Sequence, residues 1–335
     1  MSNVLITGIA GMVGSHLVDY LLDQTDWKIF GLVRWNDDLS NLNHVIPLIN
    51  EKTRLNLVYG DINDLVSLHE VVSETAPDYV FHLAAQSYPK TSFESPIETM
   101  QTNIIGTANI LEAIRKSKFN PVIHVCASSE VFGRVSKESL PIHEDITFHP
   151  ASPYAISKVG TDLIGRFYGE AYGMTVMTTR MFTHTGPRRG DVFAESSFAK
   201  QIAMIEAGKQ KPVIKVGNLD SLRTWSDVRD AVRAYYLLVT VNPTPAEYYN
   251  IGGTYSCTVR EMLNYLISAS TRKDIKVEVE SSRLRPIDAD LQVPDTKKFK
   301  EHTGWEPKIS FETTMNDLLD YWREQVNSKR NFLER

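Results

Sequence analysis

The chain has 335 residues, 42% hydrophobic and 23% charged, a globular balance long enough to bury a sizeable core as two packed lobes. Its 41 acidic against 36 basic side chains leave a formal net charge of -5, so no overall field draws it onto nucleic acid or an anionic membrane. Cys126 and Cys257 are the only cysteines and lack metal-type spacing, so neither a metal nor a disulfide framework is expected, and a reducing cytoplasm is the expected location.

The amino terminus runs straight into a strand-like segment without a targeting signal, and no stretch approaches the length needed to span a bilayer. Apolar runs bounded by turn residues recur at 4–6, 29–33, 55–59, 79–83, 122–126 and 174–180, with amphipathic helical stretches between most of them. That alternation predicts an α/β fold, a doubly wound parallel sheet of the Rossmann kind with helices on both faces. After about residue 180 the pattern is broken by Pro187, Gly190, Pro212, Gly217, Pro243 and Pro245. We therefore place one lobe at 1–180, with some later segments returning to it, and a smaller mixed α/β lobe at 181–330.

After the first predicted strand comes Thr7, Gly8, Ile9, Ala10, Gly11, Met12, Val13, Gly14, with glycines three apart at the start of a helix. Without side chains at Gly8 and Gly11, backbone can approach a pyrophosphate, Gly14 lets helix and strand pack closely, and the helix start offers N–H groups. The alternative is an ordinary tight turn. After the second strand stands Arg34, a guanidinium able to pair with the 2'-phosphate of NADP. NADP is the expected cofactor; NAD is the alternative, because Asp37 or Asp38 could reach a ribose and Arg34 could be a solvated cation. Asp61 and Ile62 follow the third strand, the carboxylate suited to the adenine amino group. Leu83, Ala84 and Ala85 follow the fourth, two of them small enough for close approach of the cofactor.

Tyr154 and Lys158 are four apart, so on a helix both project from one face. An ammonium beside a phenol favours the phenolate, which makes Tyr154 a candidate proton carrier; a solvated helix face is the alternative. Ser128, at the end of the preceding strand-like run, is suited to hydrogen-bond the substrate oxygen that Tyr154 protonates or deprotonates.

The glycine turn, Asp61, Leu83 to Ala85, Asn103, Ser128, Tyr154 and Lys158 resemble the extended short-chain dehydrogenase/reductase family. Within it the chain is most similar to the GDP-mannose 4,6-dehydratases and the related GDP-4-keto-6-deoxymannose reductases. The likeness extends nearly end to end, through Gln86 and Ser87, Ser92 and Phe93, Ser129 and Glu130, Pro187 to Gly190, Gly217 to Asp220, Arg223, Asp227, Asp230 and Gly304 to Pro307. Glu130, a segment at 34–54 longer than that of the reductases, and the Pro187 to Gly190 pattern favour the dehydratases. The stretches 198–202 and 215–219 look as much like the reductases, some of which also carry a Ser-Ser-Glu like that of Ser128 to Glu130. The chain departs from both at Phe182, Thr183, His184, where the relatives usually carry asparagine in the middle, so relatives acting on another GDP-hexose or a GDP-heptose stay open.

The resemblance implies a redox-neutral conversion of GDP-mannose to GDP-4-keto-6-deoxymannose. Ser128, Glu130, Tyr154 and Lys158 are the implied catalytic residues, Glu130 removing the proton on carbon 5; the alternative for Glu130 is a carboxylate capping the following turn. Thr7 joins the implied cofactor-binding set. Ser87, Ser129, Thr183, Arg188, Lys200, Val216, Arg223, Arg285 and Asp288 are the implied substrate contacts, so 181–330 reads as the nucleotide-sugar lobe. A homodimer or homotetramer is expected through helices around 97–115 and 153–172. The rival readings are an NADPH-consuming reductase that leaves Glu130 idle, and a cofactor-sensing binding protein without turnover.

Overall fold

The computed structural model describes residues 1–284 and 289–328. The first half of the chain runs β1 (Asn3–Thr7), α1 (Met12–Gln24), β2 (Lys28–Val33), α2 (Ile46–Glu51), β3 (Leu55–Tyr59), α3 (Leu65–Thr75) and β4 (Tyr79–His82). It continues through α4 (Pro89–Glu94), α5 (Pro96–Met100), α6 (Gly106–Lys116), β5 (Val122–Cys126), α7 (Pro153–Tyr172) and β6 (Val176–Met181). The second half carries β7 (His184–Thr185), α8 (Ala194–Glu206), β8 (Val213–Val216), β9 (Leu222–Asp227), α9 (Val228–Thr240), β10 (Tyr248–Ile251) and β11 (Tyr255–Thr258). It ends with α10 (Val259–Ser268), β12 (Lys276–Val279), β13 (Leu291–Gln292), α11 (Lys297–Thr303) and α12 (Phe311–Asn327).

Six parallel strands, in the order β6-β5-β4-β1-β2-β3, match the six apolar runs, and β10 adds a seventh beside β6. The central strands are buried on both faces and read as continuous apolar runs rather than alternating, as at Val4, Leu5 and Ile6 of β1. One face packs Leu17, Val18 and Leu21 of α1 and Tyr235 and Leu238 of α9. The other packs Leu68 and Val71 of α3 and Ile110, Leu111 and Ile114 of α6. The strand order reverses at β1, between β2 and β4, and in such sheets ligands settle beyond the carboxyl ends of the strands at that point. The seventh strand comes from 248–251, beyond Pro243 and Pro245, and with α9 it returns to the sheet from the second half of the chain.

Phe299 of α11 and Trp305 also join the first lobe's core, and the rest of the second half forms a separate lobe, in which β9 pairs with β7, β11 and β13 while β8 pairs with β12. Its core joins Phe198 and Ile202 of α8, Val216, Met262 of α10 and Met315, Leu318 and Trp322 of α12.

Helix α7 begins with Ser152 accepting from the Ala155 N–H and Pro153 at its first position, and it ends at Gly173 in the left-handed conformation, φ +65°. A buried ion pair fixes it to the sheet: Arg180 of β6 donates from Nε to Asp162 Oδ2 at 2.7 Å and from Nη2 to Oδ1 at 3.0 Å. Its Nη1 donates to the Glu144 carbonyl at 2.7 Å, so each guanidinium nitrogen has a partner within the protein. Asp162→Asn should leave that buried cation uncompensated and cost about 3–5 kcal/mol, read as a lower urea midpoint at an unchanged slope. A midpoint equal to wild type would show that the pair does not hold the helix.

Candidate active site

The carboxyl ends of β1 to β6 open on a cleft of ≈ 2530 Å³ that continues onto the second lobe. On the β1 side, Gly8 has φ +73°, and a Cβ there would come within 2.8 Å of the Ala84 backbone nitrogen. A Cβ on Gly14 would approach the Gly8 carbonyl oxygen to 2.3 Å, so side chains are excluded at both positions. Helix α1 starts at Gly11 with no side-chain cap and no acidic residue in its first turn. By contrast, α3, α7, α9, α10 and α12 are capped by Asp64, Ser152, Asp227, Thr258 and Ser310. The start of α1 thus keeps N–H groups and positive potential for an anion, and this cradle fits a dinucleotide's pyrophosphate.

Gly8, Gly11, Met12, Val13, Gly14, Arg34, Asp61, Ile62, Leu83, Ala84 and Ala85 all line this end of the cleft. Thr7 does not. It is fully buried, and its Oγ1 accepts from the Leu83 and Ala84 N–H groups at 3.1 Å each and pairs with His82 Nδ1 at 2.9 Å. It fastens the end of β4 to the glycine turn. Burial brings His82 down to about 3, so the ring is neutral as it bridges Thr7 and the Thr107 hydroxyl. The Arg34 guanidinium is paired with Asp37 at 2.8 Å and Asp38 accepts from Ser40, and all three charged side chains line the cleft.

Ser128, Ser129 and Glu130 follow β5 directly, and Tyr154 and Lys158 on α7 line the cleft with them. Ser128 Oγ accepts from the Glu130 N–H at 3.2 Å, so the serine caps this short turn and the Glu130 carboxylate is directed instead to Arg223, Nη1 to Oε1 3.5 Å. Lys158 Nζ donates to the Cys126 carbonyl at 2.8 Å, and burial lowers its pKa. The structure corrects the expectation of an acidified phenol. Burial raises Tyr154 well above the usual tyrosine range, Cys126 and Glu130 push it the same way, and the Ser128 hydrogen bond and Arg189 oppose them only in part. Lys158 contributes by position and hydrogen bonding, its ammonium being held by the strand.

Behind the pair, Asn103 lies in a π-helical turn at Gln101–Ile105. Its Nδ2 donates to Ser157 Oγ at 2.8 Å and to the Gln86 carbonyl at 2.9 Å, while Oδ1 accepts from the Gln86 N–H. This clamps the segment after β4 to α7, and such local unwinding often accompanies a functional site.

Ser87, Ser129, Thr183, Arg188, Lys200 and Arg223 line the cleft. Val216 does not: it is fully buried in the second lobe's core, while its neighbours Lys215 and Gly217 face the cleft. Arg285 and Asp288 lie outside the described residues. Arg188, with φ +66°, turns to α1, where Nη1 meets Asp19 at 2.7 Å and Nη2 lies 3.4 Å from His44 Nε2, so it ties its loop to the first lobe. Lys200 pairs with Asp191 at 2.8 Å.

Sequence reasoning missed Arg189, stacked 3.4 Å over Phe193 and paired with Glu195, and Tyr88, edge-on to Phe193 at 5.7 Å across the cleft. Only the doubled arginine after Pro187 hinted at the first. His184 lines the cleft half-buried, its pKa lowered to about 4 mainly by desolvation, and pairs through Nδ1 with the Phe182 carbonyl at 3.1 Å. Among the described residues, no group of three or more His, Cys, Asp or Glu side chains could hold a metal ion, and no helix is long and apolar enough to cross a membrane.

Comparison with known proteins agrees with this geometry. The family model described as GDP-mannose 4,6 dehydratase matches residues 5–318. GDP-mannose 4,6 dehydratase 1 of Arabidopsis thaliana is 33% identical over 94% of this chain and 88% of its own length. GDP-6-deoxy-D-mannose reductase of Pseudomonas aeruginosa is 29% identical over 97% and 99%. The solved structure of RMD from Pseudomonas aeruginosa complexed with NADPH superposes with a TM-score of 0.83 at 28% identity, covering 97% of this chain and all of that one. An end-to-end family match on a glycine-cradled Rossmann sheet shows that this chain belongs to the GDP-mannose 4,6-dehydratase family.

Proposed function

We propose that this protein is an NADP-dependent dehydratase that converts GDP-mannose to GDP-4-keto-6-deoxymannose. The observation that carries the reading is Glu130 in one cleft with Ser128, Tyr154 and Lys158: elimination needs a carboxylate that simple carbonyl reduction does not. The lobe of residues 1–180, with the later segment that returns to it, would hold the dinucleotide on Gly8, Gly11 to Gly14, Arg34, Asp61, Ile62 and Leu83 to Ala85. The remainder of 181–330 would take the GDP through Lys200 and Arg223.

Bound there, the oxidised nicotinamide supplies a hydride acceptor and a positive charge. Ser128 would orient the oxygen on carbon 4, and Tyr154, its own proton released to solvent once the bound cofactor's positive charge favours the phenolate, would take the proton of that hydroxyl. Glu130 moves the proton of carbon 5, acidic beside the new ketone, to the oxygen leaving carbon 6 as water. Tyr154 would then give its proton to carbon 5 while the hydride taken from carbon 4 is given back to carbon 6, so both side chains and the cofactor would end as they began and the net change would be loss of one water. Lys158, anchored on the Cys126 carbonyl, holds the nicotinamide ribose.

Mass spectrometry of the enzyme incubated with GDP-mannose tests this: the product should lose the mass of one water without added NADPH. Tyr154→Phe should slow turnover by roughly 10²–10⁴-fold, and Glu130→Gln should stop water loss. The reductase at 29% identity makes a second reading specific. Stoichiometric consumption of NADPH on the 4-keto sugar, with Glu130→Gln fully active, would establish it instead.

The raised pKa of Tyr154 sets a pH signature. Such a phenol loses its proton only above the range that ionises free tyrosine, so the protein alone should show no Tyr154 phenolate up to about pH 10, read as wild type minus Tyr154→Phe absorbance. Oxidised NADP should shift that ionisation to lower pH. A phenolate near neutrality in the protein alone would contradict the burial argument.

For the oligomeric state, Ile97 of α5 and Ile156, Leu163 and Phe167 of α7 are exposed apolar side chains on neighbouring helices. This supports a dimer that packs these helices against those of a second copy. Leu163→Asp combined with Phe167→Asp should halve the mass seen by light scattering; a wild-type monomer would refute the interface.

A further inference from the structure

Arg34, Arg188, Arg189, Lys200 and Arg223 of the cleft each have a carboxylate partner, but the partners are not held alike. Lys200 donates to Asp191 at 2.8 Å, a charge-assisted hydrogen bond, and Arg188 lies 2.7 Å from Asp19 as a close ion pair. Arg223 and Glu130 are 3.5 Å apart, an ion pair without a tight hydrogen bond, with side chains 13% and 18% exposed. Among the described residues this is the ion pair that either side chain makes.

The two groups belong to different halves of the molecule. Glu130 follows β5, on the turn that Ser128 caps, beside Tyr154. Arg223 stands on β9, in register with Cys257 of β11 and Gln292 of β13. The pair therefore spans the cleft between the proton-transfer residues and the second lobe. A guanidinium's fork matches paired phosphate oxygens better than a single carboxylate oxygen at 3.5 Å, and a diphosphate brings more negative charge than one carboxylate.

We propose that Arg223 is a positioning residue which holds the Glu130 carboxylate in the resting enzyme and is drawn from it by the substrate's diphosphate, so that nucleotide binding releases the carboxylate to move a proton. The inference rests on the reading of the cleft as a nucleotide-sugar site and adds to it a coupling between nucleotide recognition and elimination. While the guanidinium lies against Oε1, that oxygen is engaged; once the cation shifts to phosphate, the carboxylate is free to face the sugar ring. An enzyme built this way does not present its free carboxylate to the cleft before substrate has arrived.

The coupling is thermodynamic and therefore reciprocal. If carboxylate and diphosphate compete for one guanidinium, removing the carboxylate's charge strengthens diphosphate binding. GDP is the probe, because it lacks the hexose and any contact between Glu130 and the sugar drops out. Calorimetric titration of GDP into wild type, Glu130→Gln, Arg223→Gln and the double variant closes a cycle. Glu130→Gln should bind GDP about fivefold more tightly than wild type, the scale of a partly exposed ion pair. Arg223→Gln should bind it more weakly, and in that background Glu130→Gln should bring no gain. Arg223→Lys, which keeps the charge, should recover part of the gain and guards against a folding defect in the glutamine variant. Equal affinities of Glu130→Gln and wild type, or the same gain in both backgrounds, would overturn the competition. Failure of wild type to bind GDP at all would overturn the nucleotide-sugar reading instead.

Discussion

An ammonium removed from water has to find an acceptor, and Lys158 finds the Cys126 carbonyl at the end of β5, 2.8 Å away. That contact sets the rotation of α7 against the carboxyl edge of the sheet. One turn earlier on the same face it brings Tyr154 beside Ser128, and one turn later it leaves Asp162 to meet Arg180 in the core. Reaction geometry and helix anchoring are thus read from one stripe of α7, with residues four apart serving proton transfer, hydrogen bonding and stability in turn. The Asn103 clamp adds a second fastening, joining the segment after β4 to α7 through Ser157.

The electrostatics of the cleft depend on internal neutralisation. Arg34 with Asp37, Arg188 with Asp19, Arg189 with Glu195, Lys200 with Asp191 and Arg223 with Glu130 present paired charges to a molecule of net charge -5. A polyanionic ligand would therefore bind by exchanging partners, and the looser a pair is, the less that exchange would cost. The start of α1 is different, since its N–H groups are reserved by the lack of a cap rather than by a charge. Phosphate recognition at the glycine turn would in this sense be preformed, while on the proposed exchange recognition in the second lobe would be coupled to rearrangement.

The first half of the fold was legible because its signals are local. Six apolar runs become six parallel strands, the glycines fall where backbones touch, and Tyr154 and Lys158 share a helix face by their spacing. The seventh strand was not, because Tyr248–Ile251 is four residues long and owes its place to an edge offered by β6, not to its own pattern. Thr7 and Val216 were assigned to ligands because they neighbour residues that do face the cleft. In the fold, Thr7 turns inward to cap β4, and strand alternation sends Val216 into the core while Lys215 faces out.

What the sequence by itself determined is the chemistry carried by short-range geometry: a phosphate-binding turn, a phenol and an ammonium one helical turn apart, and a hydroxyl and carboxylate at the end of a strand. What only the tertiary structure decided is the state of those groups. Burial raises Tyr154 instead of acidifying it, Lys158 is held by a carbonyl, and Glu130 faces a guanidinium 93 residues further along the chain. The physical reason is that residue type and spacing fix which atoms a segment can offer, whereas desolvation and long-range pairing depend on elements that only folding brings together.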